Sequence, residues 1–484
     1  MGIQTKGKRI LALDLVEADN TDIEQSGKKA KKENLPAGVT SKMLYRDVIH
    51  IAWPSLIELA LTQAVSMADM MMVGGLGHWA ISAVGLTTQP KFLLMTMFMA
   101  LNVGATALVA RYKGAGDPKK ANIILRQAFM LTFIISLISS VLGYIFSRPM
   151  VNFMGAESEL TLIEGTKYLK VQMIGLPILG LTSTITACLR GVGETRTAMI
   201  YNLTANIVNV FFNWLLIHGH WGFPALGVEG ASIATVIGQT VAFIMAMVTI
   251  TKGKGFLILK FKEGFKPQWE YIKSIINIGI PSMIEQLIMR AGMVLYTLTI
   301  TSLGDMAYAI HQIAMNMLGM SFMIGQAFAV SATSLTGQCL GKRRTDMAEA
   351  YGHRTRRAGM IISLLVGIIF FFFGGQLTKL YNQDPFIVEQ GAQIMRLVAF
   401  IIPFQTSQFI LAGALRGAGD TRATAVITLL TVLMLRPGLS YVFIHILEIG
   451  VIGAWVALGL DQFSRSVLVL GRYNSGKWKH IRVD

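Results

Sequence analysis

Twelve long apolar runs, separated by short polar segments, make up most of the chain beyond residue 45. They fall at about 46–73, 80–110, 123–147, 161–189, 197–218, 228–251, 271–301, 307–338, 353–374, 388–415, 423–446 and 450–472. A helix needs roughly 20 residues to cross a bilayer, so each run is long enough, and the longer ones imply tilt or protrusion. Lysine and arginine gather after the even-numbered runs: Arg111 to Lys120, Arg190 and Arg196, Lys252 to Lys266, Lys342 to Arg344, Arg416 and Arg422, and Arg472 to Arg482. The opposite connections GGLGHW, HGHWGFPALG, TSLGD and HILEIG carry none. Basic loops stay on the cytoplasmic side, so both termini are expected there. The pattern predicts an all-α polytopic membrane protein with twelve transmembrane helices.

The last six runs repeat the first six. At an offset of 227, Pro54 and Glu58 fall on Pro281 and Glu285, GGLG at 74–77 on TSLG at 301–304, and Gly114 on Gly341. At 226, LRGVGETR (189–196) falls on LRGAGDTR (415–422) and Pro177 on Pro403; LGVEGASIATVIGQ (226–239) matches IGVIGAWVALGLDQ (449–462). Six spans return the chain to its starting side, so the copies share one orientation. Two six-helix lobes related by a pseudo-two-fold axis along the membrane normal are expected, with the transport path at their interface. The expected division is a disordered cytoplasmic tail at 1–45 with KKAKK at 28–32, an N-lobe at 46–251, a basic amphipathic cytoplasmic linker at 252–270, a C-lobe at 271–472 and a cytoplasmic tail at 473–484.

Composition narrows the class. The chain is 53% hydrophobic and 14% charged, against about 25% charged in soluble domains. Its net charge of +16 lies in short loops between spans, which argues for a bilayer and against nucleic acid. Cys188 and Cys339 make neither a disulfide framework nor a metal-ligand spacing. ILALDLV near the N-terminus is too short and charged for a signal peptide, and Lys6 stands where a myristoylation signal needs Ser or Thr. No Walker-type loop supports an ATP-driven pump.

The candidate chemistry begins in the first span, where Glu58 and Asp69 interrupt hydrocarbon. A carboxylate there costs at least about 2.5–3.5 kcal/mol, so it serves a partner, an ion or a proton. Eleven residues separate the two acids, about three helical turns, which puts them on one face roughly 16 Å apart. Glu58 has a repeat partner in Glu285; the repeat of Asp69 is Tyr296. Asn209 and Asn213 are four apart and share a face of span 5. Asparagine can glue membrane helices together, but two amides near a carboxylate, with Thr235 of span 6, also suit a hard cation. Among the other intramembrane charges, Asp461 and Arg465 are spaced to neutralise each other, and Arg290 is expected to pair with Glu58 or Glu285. Lys91, Arg396 and Arg436 remain. The glycines of LRGVGETR and LRGAGDTR read as helix ends, with their arginines holding a cytoplasmic turn.

Several of these motifs resemble the multidrug and toxic compound extrusion (MATE) transporters, of the NorM/DinF-like bacterial type. They are P…Q…AD…VGGLG in span 1, LRG-x-G-[ED]-TR after span 4, N-x-x-x-N-W in span 5, G-A-x-I-A-T in span 6 and A-x-H-Q-x-A-x-N at 309–316, within a likeness covering about residues 45–470. The resemblance implies a monomeric, multi-pass protein of the plasma membrane that is no enzyme. It implies export of organic cations, drugs or other small amphipathic molecules by alternating access, coupled to inward Na⁺ or H⁺, with no cofactor. Asp69 stands at the family's essential span-1 aspartate, and Asn209, Asn213 and Thr235 at the other N-lobe ion or proton positions, where Na⁺ would be held by Asp69, Asn209 and Asn213. Glu58, Gln63, Met67, Glu285, Arg290, Gln312 and Gln405 are candidates for lining or gating the substrate cleft. The C-lobe departs from the NorM pattern: Gln405 replaces a span-10 acid, and the span-7 acid is expected near Met289 rather than at Glu285. The alternative within the superfamily is a flippase for lipid-linked oligosaccharides, which would want a large cavity rich in basic residues.

Overall fold

In the computed structural model, residues 11–15, 35–36, 39–156, 158–252, 255–381 and 383–481 are described. KKAKK at 28–32 lies outside them. Among the described residues all regular secondary structure is helical. The helices of the first half are α1 (Ser41–Gly74), α2 (His78–Gly114), α3 (Pro118–Ile145), the short α4 (Ser147–Phe153), α5 (Glu159–Gly191), α6 (Thr195–His218) and α7 (Gly227–Thr251). The second half supplies α8 (Trp269–Thr301), α9 (Asp305–Gly341), α10 (Thr345–Lys379), α11 (Pro385–Gly417), α12 (Thr421–Thr428), α13 (Arg436–Tyr441) and α14 (Val451–Asn474).

Among the described residues, eleven helical stretches are long and apolar enough to cross a membrane. The twelfth expected span is α14, whose 24 residues include Asp461, Arg465 and Arg472. The helices start and stop on local chemistry. Ser158 accepts from the Thr161 N–H to begin α5. Asp384 accepts from the Phe386 and Ile387 N–H groups, with Pro385 as the first residue of α11. Gly219, at φ 73°, ends α6.

The eleventh span is not the uniform helix expected at 423–446. Between α12 and α13 the chain makes a π-helix at Leu429–Leu435, and a second follows α13 at Val442–Ile446. Pro437 has no N–H for the carbonyl four residues back and its ring crowds that turn, so the preceding turn widens.

The chain forms two compact units. One comprises the described residues through Trp53, Ala110–Asp117 and those from Ile288 on; the other comprises Pro54–Val109 and Pro118–Leu287. The boundaries fall inside α1 and α8. In the first unit, Ser331 Oγ donates to the Val48 carbonyl at 3.2 Å, so the start of α1 packs on α9. In the second, the Ile275 carbonyl lies where a Cβ on Gly104 would collide with it, so the start of α8 packs on α2. Val48 and Ile275, like Gly104 and Ser331, are 227 residues apart. Each unit is therefore completed by the first stretch of the other half's first helix.

The same symmetry governs the ends of α2 and α9, both in the first unit. A Cβ on Gly114 would collide with the Gln338 carbonyl, and one on Gly341 with the Arg111 carbonyl. Each glycine and its repeat mate meet each other's preceding turn, the self-complementary geometry of a two-fold contact.

Two terminal segments close over this unit. Within the tail expected at 1–45, Ala12–Leu15 makes a 3₁₀ turn. The Ala12 N–H donates to Asp47 at 2.7 Å, Tyr351 donates to the same oxygen at 2.9 Å, and Lys342 reaches the Leu13 carbonyl at 2.7 Å. At the far end, Trp478 stacks on Tyr473 and Lys479 pairs with Glu349 at 2.6 Å.

The linker is a strap along α3. Ile258 donates its N–H to Asn122 at 2.7 Å, Gln127 bridges Lys266 and Gln268, and Arg126 pairs with Glu263. The Arg126 guanidinium holds the Glu263 carboxyl below its ordinary range. Leu257 and Leu259 are buried, the period-two pattern of an extended segment with one face down.

Candidate functional site

The polar residues of α1 and α6 face one another in a ladder. Asn202 donates to Glu58 at 2.6 Å, Asn206 to Thr62 at 3.1 Å and Asn213 to Asp69 at 2.5 Å. Each pair is 144 residues apart, so the helices run parallel in fixed register. The steps of four and seven residues keep every rung on one face.

Asp69 is the richest rung. The Asn209 amide lies 3.1 Å from both of its oxygens; with the nitrogen turned toward the carboxylate it donates to both, and its oxygen accepts from the Thr235 N–H at 3.1 Å. Turned the other way, its nitrogen donates to Thr235 Oγ1 at 3.3 Å and its oxygen faces Asp69. Asn213 is buried, and its Oδ1 has no hydrogen-bond donor among the described residues. One carboxylate, two amides and a threonine thus converge, with acceptor capacity to spare. One turn beyond Asp69 and Asn213, Val73 and Ile217 join Ala80, Val228 and Ala231 in an apolar cluster. The site has water-excluding packing on that side.

Glu58 is engaged differently. Arg190 pairs with it at 2.8 Å, on the same oxygen that Asn202 reaches. The sequence leaves Arg290 to pair with Glu58 or Glu285 and places Arg190 in a turn; at Glu58 the ion-pair partner is Arg190. The α5 helix instead brings Arg190 within reach of a buried carboxylate that it neutralises.

Other residues singled out from the sequence are dispersed. Gln63 and Met67 are exposed on α1, Glu285 is buried on α8 and Arg290 exposed beyond it. Gln312 donates to the Tyr308 hydroxyl at 2.8 Å, and Gln405 is buried and accepts from Ser321 at 3.1 Å. Asp461 does pair with Arg465, both oxygens at 3.0 Å. The sequence reading missed the third member: Arg436 donates to the same carboxylate at 3.1 and 2.5 Å. Lys91 donates to Gln172 at 2.6 Å, and Gln172 in turn contacts Ser232. No group of three or more His, Cys, Asp or Glu able to hold a metal ion occurs among the described residues.

A profile of the MatE family matches the chain twice, at residues 54–215 and 281–442. The chain belongs to the MatE family. The two matched segments are its sequence halves, and the members are transporters rather than enzymes. The chain is 30% identical to the probable multidrug resistance protein NorM of Thermotoga maritima, over 90% of this chain and 93% of NorM. It is 25% identical to the multidrug resistance protein MdtK of Yersinia pestis, over 79% and 84% of the two chains. A crystal structure of MATE in the straight conformation superposes with a TM-score of 0.84 at 21% identity, covering 90% of this chain and 97% of the other; at that identity the likeness concerns the fold. This MatE protein is therefore a multi-pass membrane transporter of small molecules. Asp69, Asn209 and Asn213 all lie in its first matched segment.

Proposed function

We propose that this MatE protein exports organic cations and other small amphipathic molecules in exchange for Na⁺ or H⁺, with Asp69 as the coupling residue. The observation that carries the reading is the Asp69 carboxylate flanked by two amides, one of which, Asn213, has a buried unsatisfied oxygen. Oxygen donors of this kind fit a hard monovalent cation or a proton. A bare carboxylate favours the Asn209 orientation that donates to it. A protonated or Na⁺-bound carboxylate favours the opposite orientation, with the amide oxygen toward the positive charge. Loading thus changes both the charge and the hydrogen bonding between α1, α6 and α7.

In an alternating-access cycle, substrate and coupling ion bind the two states differentially, and the coupling between them is reciprocal. The relatives' names as multidrug resistance proteins support drugs as the substrate class. The protein resides in the plasma membrane as a monomer, both termini cytoplasmic, and needs no cofactor. A flippase would want basic side chains free to meet an anionic headgroup; Arg436 and Arg465 are buried on Asp461, which weighs against that reading.

The test is transport in proteoliposomes, driven first by a Na⁺ gradient at fixed pH and then by a pH gradient without Na⁺. One of the two should drive uptake of a cationic dye such as ethidium. Asp69→Asn should abolish it while the protein still inserts normally. Wild-type transport by Asp69→Asn would remove that carboxylate from the mechanism.

A further inference from the structure

The second half holds a counterpart of the Asp69 site, made of different residues. The two matched segments, 54–215 and 281–442, keep an offset of 227 at both ends, which places Asp69 on Tyr296 and Asn209 on Arg436. The motif LRGVGETR falls on LRGAGDTR at 226, so one extra residue enters the second half before Arg436. The π-helix at Leu429–Leu435 lies in that interval. A π turn bonds i to i+5 and takes up one inserted residue, bringing Arg436 into the register of Asn209.

Three-dimensional contacts repeat along with the sequence. Asn209 lies against Asp69; Arg436 lies over the Tyr296 ring at 5.7 Å. A Cβ on Gly238 would come within 3.0 Å of the Asn209 Cβ. The repeat of Gly238 is Asp461, whose carboxylate holds the Arg436 guanidinium. The second half therefore keeps a carboxylate in the equivalent place, moved from the first helix of the repeat to the last. Its cation comes from the chain itself. Arg436 and Asp461 are 4% and 0% exposed, and the Tyr296 hydroxyl, hydrogen-bonded to the Ala454 carbonyl at 2.9 Å, completes the packing.

We infer that Arg436 is a tethered cation, occupying in the second half the seat that the exchangeable coupling ion takes in the first. A guanidinium does not dissociate from the chain or lose its proton, so the second half is held permanently in the ion-loaded arrangement. Ion-dependent change is confined to the α1, α6 and α7 site. The inference rests on the coupling role proposed for Asp69. Arg436 is then a positioning residue, touching neither substrate nor coupling ion.

Hydrogen exchange on the purified protein in detergent tests this directly, with Na⁺ added at fixed pH or, for a proton-coupled protein, with exchange compared across pH after correction for intrinsic rates. At about ten times the dissociation constant, binding should slow the openings that require ion release about tenfold in segments 54–74 and 195–218. It should leave 421–446 unchanged. An equal response at 421–446 in the wild-type chain means that the second seat exchanges its cation, and overturns the inference without any variant. Asp69→Asn separates the two claims: it should erase the response at 54–74. If that response persists, the coupling role of Asp69 fails and this inference falls with it. Adding Tyr296→Asp and Arg436→Asn to the Asp69→Asn chain rebuilds the first-half chemistry in the second half while leaving Asp461 to Arg465. An ion response should then appear at 421–446. A folded triple variant, judged by its thermal transition, that shows none counts against a shared seat.

Discussion

Two intramembrane aspartates, Asp69 and Asp461, show how one duplicated scaffold can use a carboxylate in opposite ways. Asp69 is flanked by two neutral amides, groups that stabilise an anion yet leave its charge uncompensated. Asp461 is clamped by two guanidinia, each through charge-assisted hydrogen bonds. The first arrangement suits the exchangeable cation proposed above; in the second the counter-charges are covalently part of the chain. If Asp69 couples as proposed, what separates it from the fully buried, structural Asp461 is the mobility of the counter-charge.

The same chemical change at the two positions should break the comparison most sharply. Asp461→Asn strands the guanidinia of Arg436 and Arg465, and removing one member of a buried ion pair costs about 3–5 kcal/mol. It should appear as poor yield and a lowered thermal transition in detergent. Asp69→Asn exchanges one hydrogen-bonding group for another and should shift stability by about 1 kcal/mol or less, with transport lost all the same. Equal destabilisation of both variants would erase the distinction. Gly238→Ala comes next. Its methyl would press on the Ala205 carbonyl and on Asn209, overpacking worth about 1–3 kcal/mol, and should weaken ion-driven efflux more than substrate binding. The smallest effect is expected from Arg436→Lys, which keeps the tethered charge but loses the planar fork. A cost of about 1 kcal/mol with ion stoichiometry unchanged would show that charge, rather than guanidinium geometry, fills the second seat.

The helices were legible because a bilayer leaves little choice: every apolar run long enough to cross it must satisfy its own backbone. The run read at 197–218 is the helix Thr195–His218, and the other spans agree to within several residues. The shared face of Asn209 and Asn213 was legible from their spacing of four residues, whereas their meeting with Asp69 on another helix was legible only through the family resemblance. Arg190 was not. Its place in a basic turn hid the fact that a long side chain can reach back to a carboxylate 132 residues away. Nor was Arg436, because its register depends on a π turn that Pro437 and the surrounding packing produce. Both misses involve arginines whose partners are fixed by tertiary packing, where linear spacing carries little information.

The exchanged starts of α1 and α8 have a consequence for how this chain can be divided. A cut in the linker would separate the two sequence repeats cleanly, yet neither fragment would contain all the chain that its own compact unit requires. The first fragment would lack the α8 start that packs on Gly104, and the second would lack the α1 start that packs on Ser331. Two co-produced halves would have to swap arms to recover the native packing.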